Sequence, residues 1–329
     1  MCMKLSILVP VYGVERYIEA CAISLFEQSY TNIEYVFVDD CSPDGSIDLL
    51  RQVIVRYPQR QAQVTIIRHE TNGGLGAARA TALAHATGDY VMHVDSDDCL
   101  PQEACTCLMD KVIDTDADVV DGGYAETCHG KVIQTFKPFH GSDEAYLKLM
   151  LCQNVVSNRI WGRIYRRGLF TQHGINSVSG VDYSEDFCVV PRLLIHAKRA
   201  YTDQVVYHYR TDNMASYTHQ LTAKNLQSMQ RATLIVYDYF MTNDTTRQYA
   251  FALQLGMLNL LRSERKHKSI IKDHSNGQKT MEVFHPKGLI IRSLAACWQS
   301  RCPYSVANIA YLTVRRIYVT CISARWHKR

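Results

Sequence analysis

The chain has 329 residues, 47% of them hydrophobic and 21% charged. That balance fits an ordinary globular protein of one large domain, or a domain with an appendage, and excludes disordered and fibrous classes. No apolar run reaches the ~18 residues of a membrane span. The net charge of +4 is uneven, because Lys287 to Arg329 carries basic residues and no acid, while the remainder is mildly acidic.

Met1 to Lys4 lead straight into a strand pattern, Leu5 to Val9, so no secretory signal is expected. Pro10 to Gly13 end that strand. Glu15 to Phe26 read as a helix, with Ile18, Cys21, Ala22, Leu25 and Phe26 at helical spacing. Glu34 to Val38 form a second strand, closed by Asp39 and Asp40. Ser42 to Gly45 are a turn opening a helix to about Tyr57. Val64 to Ile67 form a third strand, Asn72 to Gly76 a glycine loop, and Ala77 to Ala86 an alanine-rich helix. A fourth strand, Tyr90 to Val94, ends in Asp95-Ser96-Asp97-Asp98. Strand and helix alternating through short loops imply a mostly parallel α/β sheet.

Further along, Asp118 to Asp121 and Lys131 to Phe136 read as strands, and Ser142 to Cys152 as a helix. Ser184-Glu185-Asp186-Phe187 open an apolar helix reaching Ile195. Gln204 to Arg210 form a strand, and from Leu221 the pattern is helical. Residues 264–282 read as a polar linker or exposed turn. No internal repeat or low-complexity tract interrupts the chain. The expected division is 1–215 and a mainly helical 216–329.

A parallel sheet binds ligands beyond the carboxyl ends of its strands. Tyr12, Asp39, Asp40, the glycine loop and Asp95 to Asp98 all follow strands, so they should meet in one cleft. Three carboxylates at one strand end repel one another unless a cation holds them. Oxygen-only ligands suit a hard divalent ion, Mg²⁺ or Mn²⁺, of the kind that serves substrate phosphates. A solvated acidic turn capping the next helix is the plain alternative.

The first hundred residues resemble family 2 glycosyltransferases. The matching string is Val9-Pro10-Val11-Tyr12, Glu15, Tyr17-Ile18, Ser24-Leu25, Gln28-Ser29-Tyr30, Asn32-Ile33-Glu34 and Val38-Asp39-Asp40. Ser42, Asp44-Gly45, Asn72, Gly74, Ala78-Arg79, Gly88 and Asp95-Ser96-Asp97-Asp98 follow in order. The resemblance continues more loosely through Trp161 to Tyr165, Ser184 to Asp186 and Tyr207 to Arg210. Two positions depart from the family pattern. Gly13 stands where Asn is common, and Ala80 follows Arg79 where Asn is common.

The resemblance implies the GT-A fold, a Rossmann-like, mostly parallel sheet with helices on both faces, here with a helical C-terminal region. It implies an inverting, metal-dependent transferase that moves a hexosyl or N-acetylhexosaminyl group from a UDP-linked donor. The acceptor would be a glycan or lipid-linked hydroxyl in polysaccharide biosynthesis. Asp39 should meet the nucleotide base, with Pro10, Val11 and Tyr12 as a floor beside it. Asp40 and Asp44 should hold loops. Gly74, Asp95 and Ser96 face the nucleotide, and Arg79 contacts the diphosphate or braces the acidic loop. Asp97 is the metal ligand and Asp98 its alternative, for Mg²⁺ or Mn²⁺. Asp186 matches the general base and Glu185 an orienting partner. Trp161 packs on the acceptor sugar or in the core. His208 reads as a core histidine, with His208 or Arg210 a supplementary contact to the diphosphate.

Two other readings stay open. A sugar-phosphate nucleotidyltransferase shares sheet and metal, but normally carries a basic Gly-rich loop where Pro10 to Gly13 stand. A non-catalytic glycan-binding subunit would not need Asp95, Asp97, Glu185 and Asp186 together. The twelve cysteines are scattered without zinc-ribbon spacing, so they read as buried thiols of the cytoplasm. The basic tail, which includes Arg301, Lys328 and Arg329, suits an anionic membrane surface on the cytoplasmic face. A basic helical subdomain or a dimer contact would use the same residues. Nucleic acid is not expected as a partner, and oligomeric state is open.

Overall fold

The computed structural model describes residues 3–153, 155–213, 222–267, 280, 284, 286–299 and 302–326. Strand β1 (Leu5–Val11) is buried along its whole length, the signature of a parallel strand covered on both faces. Its side chains alternate between those faces. Leu5, Ile7, Val9 and Val11 join the main hydrophobic cluster with Ile18, Cys21, Ala22 and Leu25 of α1 (Ile18–Phe26) and Leu108 and Val112 of α5 (Ala104–Thr115). Leu8 is buried outside that cluster, and helix α4 (Leu75–His85), which buries Ala78 and Ala82, contacts β1 as well.

The sheet has eight strands. β2 (Ile33–Asp39), β3 (Val64–Arg68) and β4 (Tyr90–His93) run parallel to β1 in the order β3-β2-β1-β4. Helices α2 (Ser46–Arg56) and α3 (Pro58–Gln61) connect β2 to β3. The chain steps outward from β1 to β2 and β3, then returns to β4 on the other side of β1. The topological switch therefore falls between β1 and β4, where such sheets open a crevice.

Beyond β4 the pairing changes. β5 (Val119–Cys128) pairs antiparallel with β6 (Lys131–Phe136) and with the four-residue β7 (Arg163–Arg166), which also lies antiparallel to β4. β8 (Arg199–Arg210) runs parallel to β5. It begins five residues before the strand expected from Gln204, because its early residues, none of them fully buried, are held by pairing with β5 from Val119↔Arg199.

Among the described residues the further helices are α6 (Asp143–Leu151), α7 (Arg167–Gln172), α8 (Glu185–Leu194), α9 (Ala223–Asn243), α10 (Ala250–Lys266), α11 (Leu289–Gln299) and α12 (Tyr304–Trp326). Contacts divide the chain into two compact units. The unit of residues 1–140, 159–182 and 196–219 holds the sheet, and the unit of residues 141–158, 183–195 and 220–329 holds α6, α8, α9, α10, α11 and α12. Helices α6 and α8 thus group with the C-terminal helices, which a single cut after residue 215 does not separate. The expected linker at 264–282 begins inside α10, where Glu264 is buried. Its residues 268–279, 281 and 282 lie outside the described residues.

Candidate active site

Asp39 closes β2 and is buried. Its Oδ1 accepts the Ser42 amide at 2.8 Å, and Oδ2 pairs with Arg68 Nε at 3.4 Å. Beside it Pro10 and Val11 are buried in β1, with the Val11 side chain in the core. Tyr12 is 51% exposed, so it is no core aromatic and stands at the strand end as an accessible ring.

Asp40 organises the glycine loop. Its Oδ1 accepts the Gly73 amide and its Oδ2 the Gly74 amide, both at 2.8 Å, while His69 Nδ1 lies 2.7 Å from Oδ1. Asp44 accepts the Glu15 amide at 3.0 Å and the Ser42 hydroxyl at 2.8 Å, along with the Ser46 hydroxyl. Burial opposes its ionisation, yet these bonds hold its carboxyl below the usual range. Both residues hold loops, as the sequence suggests. Gly74 adopts φ +86°, and a Cβ there would fall 2.4 Å from Asp182 Oδ1. Asp182 also accepts the Gly76 amide at 3.2 Å. The loop is clamped by one carboxylate on each side, which only glycine permits.

Arg79, one turn further along α4, is 1% exposed, and its Nη2 donates to Asp95 Oδ1 at 2.7 Å. Of the two roles the sequence left for Arg79, the structure displays the bracing one. A buried guanidinium needs a partner of this kind.

The three aspartates have different surroundings. The Asp95 amide donates to the Tyr207 hydroxyl at 3.0 Å, which donates to Asp98 Oδ2 at 2.8 Å. Asp98 Oδ1 accepts the Arg210 amide at 2.7 Å. Asp98 is 1% exposed, with both oxygens engaged by β8. In this placement Asp98 anchors the acidic loop to the sheet. Burial, then the charges of Asp97 and Asp95, push its pKa well up. Asp97 accepts Asn213 Nδ2 on Oδ2 at 2.8 Å, and its carbonyl accepts Arg210 Nε at 2.8 Å. Burial first and the Asp95 charge second raise its carboxyl. Ser96 is buried between them.

Among the described residues, no three His, Cys, Asp or Glu side chains converge as a ligand set. Among the described residues, Asp95 and Asp97 each keep one oxygen without a side-chain donor. Asp97, its carboxyl raised by burial and by the Asp95 charge, and Asp95 beside it fit a hard cation that would complete its shell with substrate phosphates and water.

Trp161 is 7% exposed and stacks on Tyr207 at 4.3 Å and Tyr209 at 5.2 Å, with the Arg159 guanidinium 4.3 Å from its ring. It belongs to the core cluster, which answers the alternative left by the sequence in favour of packing. His208 pairs through its backbone with Cys99, donating at 2.9 Å and accepting at 3.2 Å, and burial lowers its imidazole pKa. Glu185 and Asp186 open α8 in the helical unit, after Ser184 in a left-handed conformation with φ 66°. The sheet unit thus brings together Asp39, Gly74, Arg79, Asp95, Ser96 and Asp97, while the other two belong to the helical unit.

Sequence reading missed Asp182 and Asn213. Neither sits in a recognisable pattern, and Asn213 meets Asp97 across 116 residues of chain.

A doubly wound edge with a clamped glycine loop and a braced acidic turn is the place where sheets of this class bind their ligands. The sequence pattern described as Glycosyl transferase family 2 matches residues 6–174, and the chain belongs to that family. It is 31% identical over 180 residues to the glycosyltransferase GlyA of Streptococcus pneumoniae serotype 4, covering 51% of this chain and 25% of GlyA. It is 27% identical over 236 residues to the uncharacterized glycosyltransferase YibD of Escherichia coli, covering 68% of this chain and 66% of YibD. The chain thus spans from a quarter to just under two thirds of these relatives. The crystal structure of S. aureus TarS 1–349 in complex with UDP shares the fold, with a TM-score of 0.65 and 18% identity over 95% of this chain and 92% of that one.

Proposed function

We propose that this glycosyltransferase moves a hexosyl or N-acetylhexosaminyl group from a UDP-linked donor to a hydroxyl of a glycan or lipid-linked acceptor in surface-polysaccharide synthesis. The observation that carries the reading is the edge where Asp40 holds the glycine loop, Arg79 braces Asp95 and Asn213 holds Asp97. The UDP complex of TarS, also solved with UDP-GlcNAc, supports a UDP donor.

Asp39 would accept the imide N–H of uracil, with Pro10, Val11 and Tyr12 beside the base. Gly74, Asp95 and Ser96 would face the ribose and diphosphate. Arg79 sets the angle of Asp95. Asp97, with Asp95 beside it, would hold Mg²⁺ or Mn²⁺. Such an ion, when bound, would supply neutralisation of the charge on the departing diphosphate. Asp186 would take the acceptor hydroxyl's proton as that oxygen bonds to C1 of the sugar. The bond from C1 to the diphosphate oxygen breaks on the opposite face, inverting the centre, and UDP leaves. Glu185 would orient the acceptor.

A panel of UDP-sugars with and without MnCl₂, read by UDP release, tests this. Asp186→Asn is expected to lower kcat by about 10²-fold or more while UDP binding is retained. Full turnover in that variant would remove Asp186 from the role of base. Pyrophosphate release from a nucleoside triphosphate and a sugar phosphate would point to a nucleotidyltransferase instead.

The basic tail is proposed to rest on an anionic membrane surface. Among the described residues no helix is long and apolar enough to cross a membrane. Helices α11 and α12 bury Ile291, Leu294, Trp298, Ala307 and Tyr311, yet leave Leu289, Ile290, Val306, Ile309 and Ile317 exposed beside Arg292 and Arg316. Exposed apolar residues among cations favour anionic headgroups. Arg301, Lys328 and Arg329 lie outside the described residues. In a flotation assay the chain should rise with anionic vesicles and not with neutral ones. Equal flotation with both would count against the surface.

A further inference from the structure

The helical unit contains a cavity of about 180 Å³ lined by residues of α8, α9, α10 and the segment after α6. That volume is a fraction of the ~300–1,000 Å³ of a full ligand pocket, so it suits one group of a larger molecule. Its wall carries Arg262 and no carboxylate. Arg262 is partly buried, and its Nε donates to Asn259 Oδ1 at 3.3 Å. Among the described residues its guanidinium forms no ion pair, and its carbon lies 5.8 Å from the centre of the Tyr311 ring. Thr233, Gln153 and Asn259 are already bonded, with Gln153 Nε2 donating to Thr233 Oγ1 at 3.1 Å, Asn259 Nδ2 to Gln153 Oε1 at 2.8 Å and the Thr233 hydroxyl to the Met229 carbonyl at 2.8 Å. They form a rigid floor. The side chains of Asn158, Ser184 and Ser263 also line the cavity, and none makes a hydrogen bond to the described residues.

The backbone supports the same site. Ser184 precedes α8 where a serine ordinarily caps the helix, but its φ of 66° and ψ of 24° leave its hydroxyl without a capping bond. Gln153 is also left-handed, with φ 57°. Six described non-glycine residues have positive φ, and two of them line this one cavity. Left-handed conformations of such residues cost stability and gather where a site requires them.

We propose that this cavity binds a phosphate group carried on a hydroxylated acceptor chain. The Arg262 terminal nitrogens, the two hydroxyls and the Asn158 amide supply donors for the several oxygens of a phosphate, more than the two oxygens of a carboxylate use. An anion here would gain a charge-assisted bond from a partly buried guanidinium that has a ring contact but no ion pair among the described residues. Ser184 is followed directly by Glu185 and Asp186, so a phosphate seated here anchors the acceptor next to the proposed base. The proposal rests on the glycosyltransferase reading for its purpose, but not for its binding chemistry.

Calorimetry on the full chain, with ribitol 5-phosphate, inorganic phosphate, glucuronate and ribitol as probes, tests it, with UDP as a separate arm. Ribitol 5-phosphate is expected to bind, phosphate more weakly, and ribitol not at all. Arg262→Gln should weaken ribitol 5-phosphate by at least roughly tenfold and leave UDP affinity unchanged. Ser184→Ala should weaken it less. Wild-type chain that binds UDP but no phosphate-bearing probe overturns the site while sparing the donor reading. Phosphate binding without UDP binding supports the site and undermines the donor reading. Glucuronate binding as tightly as ribitol 5-phosphate, or unchanged binding in Arg262→Gln, overturns it.

Discussion

Tyr207 shows how one side chain can fix an acidic loop. Its hydroxyl accepts the Asp95 amide and donates to Asp98, in a setting where the tyrosine is fully buried. Removing the oxygen in Tyr207→Phe leaves a buried amide and a buried carboxylate each short of a partner. The expected cost is about 1–3 kcal/mol of stability, read from urea unfolding, together with weaker UDP binding from a loosened loop. Unchanged stability and affinity would show that Asp98 is held by the Arg210 amide alone. The contrast between Asp97 and Asp98 was not legible in the sequence, where they are identical neighbours. It depends on donors from β8 and Asn213 that stand 109 to 116 residues away. The roles of Asp40 and Asp44 were legible, because strand-end and turn aspartates meet nearby backbone amides for local reasons.

At the scale of elements, Glu34 laces β1, β2 and the turn before β4 together. It accepts the Ser6 hydroxyl, the Thr87 amide and hydroxyl, and pairs with Lys4. Burial alone would raise its carboxyl, but these bonds from Lys4, Ser6 and Thr87 bring it down to about 2. A depressed carboxylate stabilises the fold above its unfolded pKa and loses that contribution as pH falls through the folded value. Glu34→Gln should therefore cost about 1–2 kcal/mol at neutral pH after allowance for solvent screening. The deficit should shrink from about pH 4.5 down to about pH 2. A deficit independent of pH across that window would contradict the assignment. The parallel strands β1 to β4 were readable because each is a short apolar run ended by turn residues. Strand β7 was not, since four residues give no period, and its place comes from pairing with both β4 and β5.

For the whole molecule, the α/β class and the helical C-terminal region were legible from alternation and its end near residue 221. The grouping of α6 and α8 with the C-terminal helices was not, because it depends on contacts between distant segments. Both units carry polar chemistry on their own terms. The sheet unit braces a pair of carboxylates at a switch point, and the helical unit offers a donor-lined cavity beside a strained serine.

The central claim is that Asp97, with Asp95 beside it, holds a cation that binds a nucleotide diphosphate. Calorimetric titration of UDP into the full chain, with and without MnCl₂, for wild type and Asp97→Asn, tests it most directly. The account predicts that Mn²⁺ tightens UDP binding to wild type by about tenfold or more, and that Asp97→Asn abolishes this dependence without unfolding the chain. Equal UDP affinity in all four titrations would contradict it.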